Sequence, residues 1–159
     1  MSPESYGFRE ASEPDLPRLH RLEELCFGEE AYPPTYLAIL MKLPGAFLVA
    51  THRGDVVAYV SAILRRRRVG HIVSICVDPA HRRRGLAREL MLLAEERLAR
   101  MGAAVYRLEV RASNTAAIRL YASLGYRPAL FLPRYYPGGE PAVVMVKSSR
   151  VTLIEPAAE

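Results

Sequence analysis

The feature that most constrains this chain is the segment from His71 to Ala87. A β-rich run, His71-Ile-Val-Ser-Ile-Cys-Val77, is stopped by Asp78-Pro79. A short arginine cluster then opens directly into a helix from Gly85 to Met101, with Leu86, Leu90, Leu93, Ala94 and Leu98 on one side. A strand that leaves through a Gly-containing loop into a long helix presents the first helical N–H groups, which have no intrahelical partner, together with the positive end of the helix dipole. Such a junction binds phosphate groups through backbone amides, and Gly85 lets oxygens approach closely. Arg82, Arg83 and Arg84 add formal charge. Neither a Walker glycine-lysine pattern nor GxGxxG is present, so the cradle is of another kind.

The surrounding pattern is that of a mixed α/β domain. A strand at Tyr6 to Arg9 precedes a helix start at Ser12 to Asp15, and Leu16, Leu19, Leu22 and Leu25 set a helical stripe. The double proline at 33 and 34 opens a second short helix through Tyr36, Leu37, Leu40 and Met41. The runs Phe47 to Thr51 and Val56 to Leu64, around Arg53-Gly54-Asp55, predict a hairpin. After Gly102, a strand at Tyr106 to Val110 leads to a helix capped by Ser113 or Asn114 and closed by Gly125. Two strands, Arg127 to Leu132 and Ala142 to Lys147, flank a loop and complete one domain over 1–150, with a tail at 151–159.

Composition sets limits on function. The 159 residues carry 22 Lys plus Arg against 17 Asp plus Glu, a net +5, and only Lys42 and Lys147 are lysines. Arginine makes forked contacts with phosphate and carboxylate, so the excess points to an anionic ligand. No apolar run reaches the roughly 18 residues of a membrane span. The first residues lack the basic start and apolar stretch of a signal peptide. Cys26 and Cys76 have no metal spacing and sit in apolar segments, which predicts two buried free thiols and a reducing cytoplasm. Glutamine is absent and Asn114 is the single asparagine, a depletion of thermolabile amides that fits a hot habitat or a biased genome. Arg65 to Arg68 read as a solvated loop or as an anion contact.

Arg82-Arg83-Arg84-Gly85-Leu86-Ala87 fits the Q/R-x-x-G-x-G/A loop of the GNAT superfamily, which the chain resembles. Leu108-Glu109-Val110-Arg111-Ala112-Ser113-Asn114, with Leu120-Tyr121 and Leu124-Gly125-Tyr126, is similar to the second half of protein N-terminal acetyltransferases. These include the bacterial ribosomal-protein-alanine enzyme and archaeal and eukaryotic members. Arg134-Tyr135-Tyr136-Pro137 resembles their tyrosine-pair loop, and Glu30-Ala31-Tyr32-Pro33 the first-loop Glu-x-Tyr of the archaeal members. The likeness is dense over 70–147 and thinner before it. It implies an acyl-CoA N-acyltransferase fold, a mixed, mostly antiparallel sheet flanked by helices. Acetyl-CoA is implied as cosubstrate, with no metal.

The resemblance also implies roles. Ile75, Cys76 and Val77 would line the pantetheine arm, with the Val77 amide facing the thioester oxygen. Arg83, Arg84, Gly85, Leu86, Ala87 and Arg88 would hold the pyrophosphate, and Asn114 would contact coenzyme A, cap its helix, or both. Glu109 stands as general base, on the strand face opposite Leu108 and Val110; from the residues alone it reads first as a partner of Arg107 or Arg111, and the resemblance reverses that order. Tyr121 would protonate the leaving thiolate, or it is a core tyrosine with a satisfied hydroxyl. Glu30, Tyr32, Tyr135 and Tyr136 would wall a peptide slot, with Glu30 a second candidate base. His71, placed by alternation on the face of Val73 and Ile75, is a third base or a metal partner of Glu109, or is structural. His20, His52 and His81 read as surface residues.

An α-amino group has a pKa near 7.7–8.0, against about 10.4 for lysine, so at pH 7 roughly a tenth of α-amines are already neutral. A modest base then suffices. The expectation is direct transfer from acetyl-CoA to protein N-termini, ribosomal or nascent chains among them, by a cytoplasmic monomer or homodimer without nucleic-acid or membrane partners. The alternatives are a GNAT acting on lysine or a small amine, an acyl-CoA sensor without catalysis, and a basic nucleic-acid module. Neither arginine run has the aromatic interleaving such a module needs.

Overall fold

The elements are β1 (Tyr6–Glu10), α1 (Leu16–Phe27), α2 (Pro34–Lys42), β2 (Gly45–His52), β3 (Asp55–Arg65), β4 (Val69–Val77), α3 (Leu86–Arg100), β5 (Val105–Arg111), α4 (Thr115–Ser123), β6 (Arg127–Leu132) and β7 (Ala142–Ser148). They are taken from a computed structural model that describes residues 5–149, so the tail at 151–159 lies outside the described residues. The seven strands form one sheet in the order β1-β2-β3-β4-β5-β7-β6. Every neighbouring pair is antiparallel except β4 with β5, which are joined through the α3 crossover.

That parallel seam is short. Only Val69, Gly70 and His71 pair with Val105, Tyr106 and Arg107; beyond them the two strands have no mutual partners. The sheet therefore opens into a V between Ile72–Val77 on one side and Leu108–Arg111 on the other. Close packing fixes the closed end, where a Cβ on Gly70 would meet Leu98 Cδ1 at 2.9 Å and the Tyr106 ring at 3.2 Å.

Two apolar clusters cover the two faces. One unites Leu86, Leu90, Met91, Ala94 and Leu98 of α3 with Ile72, Leu108, Val110 and Tyr121; the other unites Leu19, Leu22, Leu37 and Leu40 of α1 and α2 with Val49, Tyr59 and Cys76. Strand β4 changes faces partway. Ser61 pairs with Ser74 but Ala62 with Ile72, so Val73 is an extra residue, a β-bulge. Val73, Ser74 and Cys76 then face α1, while Ile75 and Val77 pack towards α3. Strict alternation put His71 on one face with Ile75, and the bulge overturns this.

Three other expectations are corrected. Leu25 is exposed. A three-residue step falls about 60° short of a helical turn, so by Leu25 the stripe has rotated about 180° from Leu16. The core takes Leu19, Leu22 and Glu23 instead. Cys26 and Cys76 are not free thiols: they form a disulfide that ties the end of α1 to β4 across 50 residues of sequence. Local apolar context could not reveal that α1 lies along β4, and disulfides do occur inside cells of hyperthermophiles. Finally, the histidines have partners. Tyr6 Oη lies 2.9 Å from His81 Nδ1, the His52 ring is 5.1 Å from the rings of both Tyr6 and His81, and His20 Nδ1 is 3.1 Å from the Tyr32 carbonyl. Among the described residues no helix is long and apolar enough to cross a membrane.

Candidate active site

The open side of the V brings two sets of residues together. On the cofactor side, Arg82 to Arg84 and Gly85 precede α3. Gly85 takes a left-handed φ of 77° that turns the chain into the helix, and open space surrounds its missing Cβ. The first intrahelical bond runs from Glu89 N–H to the Gly85 carbonyl at 3.0 Å. The amides of Leu86, Ala87 and Arg88 are thus left for a ligand, as a pyrophosphate cradle requires. Arg83 and Arg84 are exposed, and Arg88 reaches across to Ser123 Oγ at 3.2 Å, linking α3 to α4. Ile75, Cys76 and Val77 lie in the part of β4 that lacks a β5 partner. Cys76 is engaged in the disulfide. These residues fit an acyl-CoA: unpaired strand edge for an amide-bearing arm, helix amides and guanidinium groups for phosphates. Asn114 caps α4, its Oδ1 accepting from the Ala117 amide at 3.2 Å.

Glu109 stands two residues past the last β5 residue paired with β4, with its side chain only 10% exposed. Its Oε1 lies 2.7 Å from His71 Nε2, and its Oε2 accepts from Arg107 Nε at 2.8 Å. Burial pushes this carboxyl up, but the hydrogen bonds from His71 and Arg107, with the Arg107 charge, outweigh it, so its pKa lies below the ordinary glutamate value. The pairing with Arg107 foreseen as an alternative therefore coexists with a position at the mouth of the V.

His71 has no nitrogen to spare. Arg65 Nε donates to its Nδ1 at 2.9 Å. A guanidinium has no acceptor, so Nδ1 must carry the lone pair and Nε2 the proton, which is donated to Glu109. In this arrangement His71 is a neutral imidazole that orients the carboxylate. Among the described residues no group of three or more His, Cys, Asp or Glu is placed to hold a metal ion. The flanks of the His71–Glu109 pair are arginines.

The residues expected to wall a substrate slot also converge. Glu30, in the turn after α1, is ion-paired with Arg111 of β5. Arg111 holds Glu140 at 3.0 Å with its other nitrogen and lies 4.2 Å over the Tyr136 ring. Glu140 also accepts from the Ser113 amide at 3.2 Å and from its hydroxyl. One guanidinium thus bolts the α1–α2 loop to the β6–β7 loop across the sheet, and Glu30 is committed to that bridge. The Tyr32 and Tyr36 rings meet at a tilt of 55°, 4.6 Å apart, and Tyr135 meets Tyr136 edge-on at 4.9 Å. Burial, neighbouring tyrosines and Glu23 push Tyr32 up to about 12, and burial with Tyr135 does the same for Tyr136. Tyr121, on α4, is buried, and that burial, with Tyr136 nearby, raises it to about 12.

Several residues have no sequence motif to announce them. Glu23 is buried on α1, where it accepts from the Tyr32 amide at 2.8 Å and from Ser74 Oγ at 3.1 Å; Ser74 in turn meets Tyr59 Oη at 3.0 Å. Burial raises its pKa despite those bonds. This relay fixes the loop carrying Tyr32 against β4. A charge at a core position of the α1 stripe was the one available signal.

The model of the Acetyltransferase (GNAT) family matches residues 16–126, and the chain belongs to that family. It is 34% identical over 141 residues to an uncharacterised N-acetyltransferase of Methanocaldococcus jannaschii, covering 87% of this chain and 89% of that protein. Ard1 from Thermoplasma volcanium superposes with a TM-score of 0.86 at 28% identity, over 91% of this chain and 97% of that one. The Escherichia coli ribosomal-protein-S18-alanine N-acetyltransferase gives 0.83 at 29% identity, over 91% and 94%. By sequence alone that enzyme matches at 46% over 77 residues, 46% of this chain and 52% of its own length. The protein is an acetyl-CoA-dependent acetyltransferase, with the mixed sheet and flanking helices of that family.

Proposed function

We propose that the chain acetylates the α-amino group of protein N-termini by direct transfer from acetyl-CoA. The observation that carries this reading is the state of Glu109, doubly hydrogen-bonded and held below the ordinary carboxylate range. A carboxylate held in this state is poorly matched to a lysine, whose amine is under about a thousandth neutral at pH 7. It can take a proton, through a water, from an α-amine of which about a tenth is neutral already. The roof over Glu109, Tyr32 with the Tyr135–Tyr136 pair, suits an extended peptide end, since aromatic rings cover a backbone and their hydroxyls can bond it. The similarity to N-terminal acetylating enzymes supports the same choice.

Acetyl-CoA supplies an activated acetyl thioester whose sulfur departs as the amine adds. Tyr121, held up to about 12, stays protonated at neutral pH. A phenol at that value is a weaker acid than a thiol near 8.5, so its part is a hydrogen bond to the departing sulfur. Val77, at the end of β4, is positioned to offer its amide to the carbonyl oxygen. His71 and Arg107 orient Glu109. The test is incubation with acetyl-CoA and paired peptides bearing free or blocked N-termini and an internal lysine. Acetyl incorporation only into free termini is the expected result; labelling of lysine in the blocked peptides would replace this reading by a lysine acetyltransferase.

A further inference from the structure

The run Arg65 to Arg68, unassigned by sequence, is divided by the fold. Arg67 and Arg68 occupy left-handed turn positions at φ 62° and 61°, and Arg68 Nε donates to the Gly102 carbonyl at 2.8 Å, tying this turn to the connection between α3 and β5. Arg65 and Arg66 instead line an open groove of about 790 Å³ together with Arg107, His71, Glu109 and Tyr135. The groove begins at the candidate base and runs out along the end of β3.

Its charge is lopsided. Arg65 commits only Nε, to His71, and Arg107 only Nε, to Glu109, so the terminal amino groups of both remain available. Arg66 has no partner among the described residues. Glu109 is the single carboxylate in the lining, and each of its oxygens already accepts one hydrogen bond. Three guanidinium groups against one neutralised carboxylate, with His71 uncharged, leave a surplus of positive charge where a substrate would lie. A peptide whose terminal amine sits at Glu109 advances at most about 3.3–3.6 Å per residue, which places its second to fourth residues along this wall.

We infer that this groove selects N-termini carrying acidic side chains at the second to fourth positions, which Arg65, Arg66 and Arg107 bind through forked hydrogen bonds. The inference rests on the N-terminal reading above and names its substrate class.

The experiment uses the full chain, acetyl-CoA and three peptide series beginning with Ser, with Asp, Asn or Arg at positions two to four, each with a free or a blocked terminus. The acidic series should show a KM at least ten-fold below that of the neutral series and lower still against the basic one. The advantage should shrink as salt rises from 0.02 to 0.5 M, because exposed charges are screened over a Debye length. Arg66→Glu should abolish the acidic preference and favour the Arg series. Equal KM values for all three charges in the native chain overturn the inference and leave the N-terminal reading standing. An acidic preference that survives Arg66→Glu unchanged overturns the assignment to this groove. Acetylation of blocked peptides, or of none, removes both together.

Discussion

Replacing Glu109 by Gln tests the active site most directly, because the structure separates its catalytic from its structural cost. A positioned general base is worth about 10²–10⁴ in rate, or about 2.7–5.4 kcal/mol of activation free energy. We expect kcat to fall at least 100-fold. The carboxylate accepts from two N–H groups, His71 Nε2 at 2.7 Å and Arg107 Nε at 2.8 Å. A carboxamide has one acceptor oxygen, so its NH₂ must face one of those donors. An unmet donor at a part-buried site costs about 1–3 kcal/mol, which lowers Tm by about 2–12 °C for a domain of this length. The acetyl-CoA cradle, at the N-terminus of α3, is untouched, so its Kd should stay within about three-fold. The assay is steady-state release of free thiol with a saturating peptide at 25 °C, beside calorimetric titration of acetyl-CoA and a melting curve. A kcat within three-fold of the native value, in a variant whose Tm has dropped as expected, would refute the assignment of the base.

Other perturbations should give distinct signatures. Tyr121→Phe removes one hydrogen bond to a charged atom, about 1.5–3 kcal/mol, so kcat should fall about 10- to 150-fold, less than for a lost base at its strongest; unchanged turnover would leave Tyr121 a packing residue. Glu109 has a lowered folded pKa, so its contribution to stability is present above the ordinary glutamate value and is lost only as pH falls through the folded one. Between pH 6 and 9 it stays ionised, and the rising limb of kcat/KM should follow the substrate α-amine near 7.7–8.0. Peptides of different amine pKa should shift that limb; a fixed limb would place the titrating group on the enzyme. Reducing the Cys26–Cys76 bond, or replacing both residues by Ser, should cost up to about 4 kcal/mol for a loop of about 50 residues, read as a lower Tm. An identical Tm with and without reductant would show that the bond does not form in solution. Gly70→Ala should cost about 1–3 kcal/mol by overpacking against Leu98 and Tyr106 at the seam, measured by denaturant unfolding.

What could be read from sequence was local. The phosphate loop, the α3 stripe and the strand carrying Glu109 are each decided within about seven residues, and the motif likeness joined them into one family and fold. The failures are of range and register. A bulge at Val73 shifts every later side chain of β4 to the other face, and alternation counted from His71 cannot detect it. Cys26 and Cys76, or Glu23 and Ser74, meet only because α1 crosses β4, contacts separated by 50 and 51 residues. The commitment of Glu30 to Arg111 and of His71 to Arg65, the two candidates ranked behind Glu109, likewise depends on neighbours from distant strands.

The V in the sheet has a consequence for how the protein keeps itself in solution. Strands that stop pairing leave a row of bare amides and carbonyls, and such rows recruit other chains into aggregates. Here the two bare rows, on β4 after His71 and on β5 after Arg107, face each other within the sheet. They converge on a closed seam and have other strands of the same sheet behind them, β3 behind β4 and β7 behind β5. A passing polypeptide would have to enter end-on between them. A slim, linear ligand with amides of its own can do so, and the geometry that admits it is also what turns away a neighbour's strand.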